Sequence, residues 1–244
     1  AREAMPSENL TRRWQVLSAD EAGQQALVLG IPTDQLSAQV ATLQAAGIRP
    51  QTLELRAMAL TRAVDRERAL IANVELSSLD LVMVVDGIPQ IIRSLGQPAG
   101  LSAEERARNL VHALDQTVTF YNTRNRDDPL LPDTPFFLVG SLAEDPAFRE
   151  RVAAQAAYPV ETFRPGLECP PHLPCRHYAV NIGLAMRGLP RGKRPATGAR
   201  PLYIDFVPHT VPFWRFTPQR AAALGVLVAG LVLANFLYSP VAAA

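Results

Sequence analysis

The chain has 244 residues and a formal net charge of +1, from 24 Lys plus Arg against 23 Asp plus Glu. That balance supplies no bulk positive field for a nucleic-acid partner. Two cysteines, Cys169 and Cys175, are too few for a disulfide-built fold, and the polar opening AREAMPSENLTRRW has no secretory signal peptide.

In chain order, residues 14–17 (WQVL) and 25–31 (QALVLGI) read as two strands of a hairpin around turn-forming residues 20–23. Thr33 is placed to cap a helix to about Ala46, with Leu36, Val40 and Leu43 on one face and Gly47 at its end. Residues 52–55 read as a short strand and 56–64 as a short helix. Three strand candidates follow at 69–76, 79–85 and 88–95, the last two joined by Asp86-Gly87, a two-residue hairpin signal. Ser102 with Glu105 is a capping-box pattern that opens a long helix to about Thr123, striped by Leu110, Leu114, Val118 and Tyr121. Residues 136–139 (FFLV) form a continuous apolar run, as in a strand covered on both faces. Pro146 starts another helix, 160–163 return as a strand, and 178–186 (YAVNIGLAM) are helical in pattern up to Gly188. Mixed strands and helices define an α/β (α+β) class, a sheet covered by helices.

The end of the chain has a different character. Residues 189–200 are rich in Pro, Gly, Lys and Arg and read as a linker, and 201–218 are aromatic and extended. Residues 221–238 (AAALGVLVAGLVLANFLY) contain no charge. As a helix they would cover roughly 27 Å, close to the hydrocarbon thickness of a bilayer. Arg187, Arg191, Lys193, Arg194, Arg200, Arg215 and Arg220 precede them, opposed only by Asp205. This asymmetry predicts a single-pass transmembrane helix with the N-terminal domain cytoplasmic. Gly225 and Ala229 offer close approach to a neighbouring helix, and Asn235 a hydrogen bond worth about 0.6–2 kcal/mol, or a contact with interfacial water.

Cys169, His172, Cys175 and His177 lie within nine positions and offer thiolate and imidazole ligands to zinc. The prolines between them fit no common zinc spacing, so the expectation is no metal, with this set as the alternative. The chain has no Gly-x-Ser-x-Gly elbow and no Walker-type loop. Asp127-Asp128 with Arg124 and Arg126 read as solvated loop charge.

Four phrases, AAGIRPQTLELRAMALTRAV, DLVMVVDGIPQIIRSL, TPFFLVGSLAEDPAFRERV and YAVNIGLAMRG, together resemble the PilM family of type IV pilus assembly proteins, cytoplasmic members of the actin-like superfamily. The cytoplasmic domain of the type II secretion protein GspL is similar. The resemblance runs from about Met5 to Gly188 and covers only the later part of that family; its first phosphate-binding loop has no counterpart after Ala1. The tail phrase PLYIDFVP, followed by the apolar run, resembles the start of PilN, whose I-N-L-L-P leader docks onto PilM; Asp205 and Phe206 stand where that family has Asn and Leu. The resemblance implies a partial actin-like domain. It is divided into a small α/β subdomain (1–64), an actin-like second subdomain (65–188), a linker and docking segment (189–220), the span (221–238) and a short extracytoplasmic tail (239–244).

It also implies where a nucleotide would sit. Actin-like sites cradle phosphates in glycine-containing turns whose backbone N–H groups approach closely. The position of the second such turn holds Glu75, Ser77 and Ser78 with no glycine, and Gly140 stands where the family has a glycine-rich adenosine-side turn. The expectation is therefore a non-catalytic scaffold without a cofactor, Mg-ATP at these residues being the alternative. Leu202, Ile204, Phe206, Val207 and Pro208 are expected to dock as an extended strand, with Ile204 and Phe206 in pockets. Implied partners are the membrane and other inner-membrane platform proteins, an oligomer being compatible. Two further readings stay open: an actin-like ATPase whose first phosphate loop lies upstream of Ala1, and an accessory subunit fastened by its span to an unrelated membrane complex.

Overall fold

The computed structural model describes residues 9–20, 23–189 and 202–207. The expected span at 221–238, with Gly225, Ala229 and Asn235, and the docking residue Pro208 lie outside the described residues. Among the described residues no helix is long and apolar enough to cross a membrane.

Strands β1 (Leu10–Asp20) and β2 (Gly23–Pro32) form an antiparallel two-stranded ribbon, Trp14 facing Val28 across it, and helix α1 (Thr33–Ala45) follows directly. Thr33 is the first helical residue rather than the cap, because Pro32 occupies the cap position. The Thr33 hydroxyl instead meets that of Thr11 at 3.1 Å and ties helix to ribbon. Residues 52–55, expected as a strand, join no sheet. Helix α2 (Arg56–Val64) matches the span expected for it.

The main sheet has five strands in the order β5-β4-β3-β6-β7. Strands β3 (Ala69–Val74), β4 (Ser78–Val85) and β5 (Ile88–Gly96) are an antiparallel meander. The β4–β5 turn closes on Asp86 and Gly87, both at positive φ (54° and 71°), the geometry a primed two-residue turn requires. The long helix α3 (Ala103–Arg124) opens with the full capping box. The Ser102 hydroxyl accepts from the Glu105 N–H, and the Glu105 carboxylate accepts from the Ser102 N–H. Strand β6 (Phe136–Val139) then pairs parallel to β3. A 3₁₀ turn (Ser141–Glu144), helix α4 (Pro146–Gln155), the short parallel strand β7 (Val160–Glu161) and helix α5 (Ala179–Arg187) complete the order. Asp145 caps α4 by accepting from the Ala147 N–H at 3.0 Å, with Pro146 at the first helical position.

Alternation along the strands sends side chains to two separate cores. Leu70, Ala72, Val74, Leu81, Met83, Phe136 and Leu138 face α3 and α4. Ala69, Ile71, Val82, Val84, Phe137 and Val139 face the opposite side, where α2 and α5 pack. Strands β3 and β6 are covered on both faces, which is why their sequences carry no polar alternation. Helix α2, at the end of the first sequence subdomain, thus packs on the main sheet beside α5. The two helices touch closely: a Cβ on Gly183 would lie 1.9 Å from the Ala59 carbonyl oxygen. A third core gathers Leu36, Met58, Leu202, Ile204 and Phe206 against the ribbon's inner face.

Candidate functional site

The first candidate lies at the carboxyl ends of the parallel strands β3 and β6, where open α/β sheets place their ligands. A cleft of ≈ 590 Å³ opens there, lined by Arg56, Asn73, Glu75, Ser77, Ser78 and Ser141, with His177, Tyr178 and Asn181 on the far wall. Glu75, Ser77 and Ser78 therefore share one cleft, and Gly140 begins the turn that brings Ser141 to it.

Glu75 and the Gly140–Ser141 turn are bonded within the protein. The Glu75 carboxylate accepts a short hydrogen bond from the Ser141 hydroxyl and a second, at 3.3 Å, from the Ser141 N–H. The Gly140 N–H donates to the Arg176 carbonyl at 2.8 Å. Gly140 sits at φ 96°, and a Cβ there would lie 2.6 Å from the Val74 carbonyl oxygen and 2.7 Å from its nitrogen. This glycine is required by the crossing of the β6 turn over the end of β3. The Gly140 and Ser141 N–H groups of this turn are therefore both engaged within the protein, the second by a carboxylate.

The β3–β4 turn is fixed from below. The Glu75 N–H bonds to the Ser78 carbonyl at 2.9 Å, and the Gln97 N–H to the Ser77 carbonyl at 2.8 Å. Buried Arg106 donates to the Leu76 carbonyl at 2.6 Å, the Gln97 side-chain oxygen at 2.8 Å and the Leu101 carbonyl at 3.2 Å. Beside the cleft, buried Asp80 accepts from Arg56 (2.5 Å), Asn73 (3.2 Å) and Ser94 (2.7 Å). Sequence reading passed over Arg106 and Asp80. A carboxylate inside the otherwise apolar strand SLDLVMVV was the available signal.

The second candidate is the groove between the ribbon, α1, α2 and residues 52–55, filled by residues 202–207. Leu202, Ile204 and Phe206 are 3%, 4% and 0% exposed, and their period of two marks an extended chain with one apolar edge. The segment does not form a ladder; its backbone pairing with residues 52–55 is one bond, from the Phe206 N–H to the Leu53 carbonyl at 2.8 Å. Side chains do the rest. Four successive carbonyls, of Leu202, Tyr203, Ile204 and Asp205, accept from Arg62 (3.2 Å), Arg187 (3.4 and 3.2 Å) and Arg13 (3.1 Å). The Tyr203 N–H donates to the Gln15 side-chain oxygen at 2.6 Å. Oδ1 of Asp205 accepts from the N–H groups of Leu53 and Val207, both at 3.0 Å. Arg62 and Arg187 are aimed by Glu54, only 1% exposed in its side chain, at 2.8 and 2.5 Å.

Magnitudes show which contacts decide. Burying the three apolar side chains contributes about 5–9 kcal/mol. Ordering six residues costs about 6–12 kcal/mol in backbone entropy. These nearly cancel, so the charge-assisted bonds from the arginines, about 1.5–3 kcal/mol each, tip the balance toward the seated segment.

The cysteine-histidine loop is built differently from a metal centre. Burial, and then a hydrogen bond with Cys169, push the Cys175 thiol above its ordinary pKa. His177 packs edge-on against Tyr178, and its backbone N–H donates to Glu144 at 3.0 Å. Among the described residues no three His, Cys, Asp or Glu side chains are grouped to hold a metal ion. Nor, among them, does a Ser or Cys side chain hydrogen-bond to a histidine ring. Asp128 stays exposed on its loop, as solvated charge does, and pairs there with Arg68 at 2.5 Å.

Fold and clefts together define the class: an α/β protein with a partial actin-like ATPase fold. No family model matches the chain, and no curated protein matches it. Among solved structures it is similar to a PilM-PilN type IV pilus biogenesis complex, at 16% identity over 77% of this chain and 69% of that one, with a TM-score of 0.51. It also matches the ethanolamine utilization protein EutJ from Carboxydothermus hydrogenoformans, at 13% identity over 60% of this chain and 59% of that one, with a TM-score of 0.40. A Bacteroides thetaiotaomicron protein of actin-like ATPase fold and unknown function matches at 12% identity, over 73% of this chain and 60% of that one, with a TM-score of 0.39. At 16% identity the likeness to the PilM-PilN complex is one of fold.

Proposed function

We propose that the chain is a non-catalytic scaffold subunit of a type IV pilus or type II secretion-like inner-membrane platform, anchored by residues 221–238 with its folded part in the cytoplasm. The observation that carries this reading is the seated segment 202–207. It joins the actin-like fold to the chain that runs on into the basic, aromatic and apolar stretch. A linker makes such docking intramolecular, with an effective concentration of about a millimolar. The internally satisfied Glu75–Ser141 pair supports a scaffold without hydrolysis, and no cofactor is required. Its partners on this reading are membrane platform proteins.

Two measurements test it. The full chain is captured from membranes and its copurifying proteins are identified. Pilus or secretion platform proteins support the proposal, whereas a different membrane assembly favours an accessory subunit that borrowed the fold. Separately, Ile204→Asp with Phe206→Asp should make the chain beyond Gly188 readily cleaved by protease; unchanged cleavage would reject docking as the basis of coupling. The cleft at β3 and β6 keeps one second reading, an ATPase completed by an upstream phosphate loop. Saturable Mg-ATP binding by the full gene product is its test.

A further inference from the structure

Among the described residues, three arginines and one wall carboxylate are bonded at the groove. Arg13, Arg62 and Arg187 converge on it, and Glu54 is the carboxylate that holds two of them. The segment itself brings one more negative charge, Asp205, whose Oδ2 lies 3.6 Å from Arg187 while Oδ1 accepts the Leu53 and Val207 N–H groups. Each carboxylate oxygen therefore faces donors. An amide at this position could keep Oδ1 in place, but its NH₂ would then point at the guanidinium, donor against donor.

We propose that the groove selects its occupant by charge. Arg187, aimed by Glu54, makes Asp205 the specificity-determining residue, so that the groove prefers this chain's own acidic segment over an equally apolar neutral one. The proposal rests on the reading that residues 202–207 are a docking segment and adds the rule by which it is recognised. The apolar anchors Leu202, Ile204 and Phe206 only about offset the cost of ordering the segment, and the arginine bonds to its carbonyls would form with any extended peptide. Discrimination falls to Asp205, whose carboxylate meets the Arg187 guanidinium, and the buried Glu54 keeps that guanidinium from swinging to water. The positive charge at this position, held beside Oδ2 of Asp205, carries the discrimination.

Hydrogen exchange in the full chain reads the selection directly, through the Phe206 amide, which closes on Leu53. Asp205→Asn should speed its exchange about tenfold, equivalent to about 1.4 kcal/mol. In an Arg187→Gln background the same change should have less than about a twofold effect, since coupled residues are non-additive. Arg187→Lys keeps the charge and should retain the preference. The β3 amides report whether the fold is intact; if Arg187→Gln loosens them, the Arg187→Lys pair decides alone. Exchange unchanged or slowed by Asp205→Asn overturns the proposal, as does an equal increase with and without Arg187, or loss of the preference in the lysine variant. Ile204→Asp with Phe206→Asp separates the two ideas. If it speeds exchange while Asp205→Asn does not, charge selection fails and docking stands; if it has no effect, docking itself fails.

Discussion

Glu75 accepts hydrogen bonds from both the hydroxyl and the backbone N–H of Ser141, and this pair ties the turn after β3 to the turn after β6. Glu75→Ala should free that N–H without creating a phosphate site, because the Gly140 N–H remains on the Arg176 carbonyl. The expected cost is about 1–2 kcal/mol, as the two bonds are only partly buried. Thermal unfolding with and without millimolar Mg-ATP checks this. The melting temperature should fall on substitution, and nucleotide should raise it in neither protein; a raised value in the variant alone would mean that Glu75 blocks a latent site.

Asp80 organises the wall of the same cleft through Arg56, Asn73 and Ser94. Its loss should cost less than the 3–5 kcal/mol typical of a broken buried ion pair. Arg56 is 49% exposed in its side chain and can return to water, which leaves Asn73 and Ser94 as the stranded partners. Asp80→Ala is expected to destabilise by about 2–3 kcal/mol, and Arg56→Ala by under about 1 kcal/mol. Urea unfolding of the two variants gives the comparison, and a larger loss for Arg56→Ala would refute the asymmetry.

The contact between Gly183 and Ala59 predicts a sharper penalty. A methyl group placed 1.9 Å from a backbone oxygen cannot be relieved by side-chain rotation, so α2 and α5 must separate. Gly183→Ala should destabilise by about 3 kcal/mol or more. Gly96→Ala, where no atom lies within 4 Å of the added Cβ and φ is not positive, should change stability by less than about 0.5 kcal/mol. Thermal melts of both variants test the pair. Since α2 carries Arg62 and α5 carries Arg187, loosening at Gly183 should also release the segment they hold.

These residues mark what could and could not be read in advance. Strand β6 and the Asp86-Gly87 turn were legible because burial on both faces and positive φ restrict which side chains a position accepts. The capping box was legible because its two partners lie three residues apart. Residues 52–55 look like a strand by composition, yet a single backbone bond reaches them from the segment, and composition carries no information on whether a partner strand exists. The groove's arginines are a different case. Glu54 and Arg187 are 133 positions apart, and each alone resembles ordinary surface charge; only the packing of α2 on α5 brings them to one carboxylate. Gly140 was singled out only through the resemblance, as a nucleotide-site residue; what its φ of 96° accommodates in the structure is the backbone of Val74. A required glycine records close approach without naming what approaches.

The thiol pair gives a prediction with a pH sign. Burial is the first cause that lifts the Cys175 pKa, followed by the hydrogen bond and the charge of Cys169, while Arg176 acts in the opposite sense. A raised thiol pKa means less thiolate at neutral pH, and the thiolate is the nucleophile. Cys175 should therefore react with iodoacetamide more slowly than an unhindered thiol near pH 7.5, and should catch up only as pH rises through its elevated value. Cys169→Ala removes the neighbouring hydrogen-bond partner but leaves the burial. It should accelerate alkylation of Cys175 several-fold without reaching the rate of the free thiol. Mass spectrometric mapping of the labelled peptide over a pH series separates the two cysteines. A Cys175 that already reacts at the free-thiol rate near neutrality would show that its burial and its contact with Cys169 are not maintained in solution.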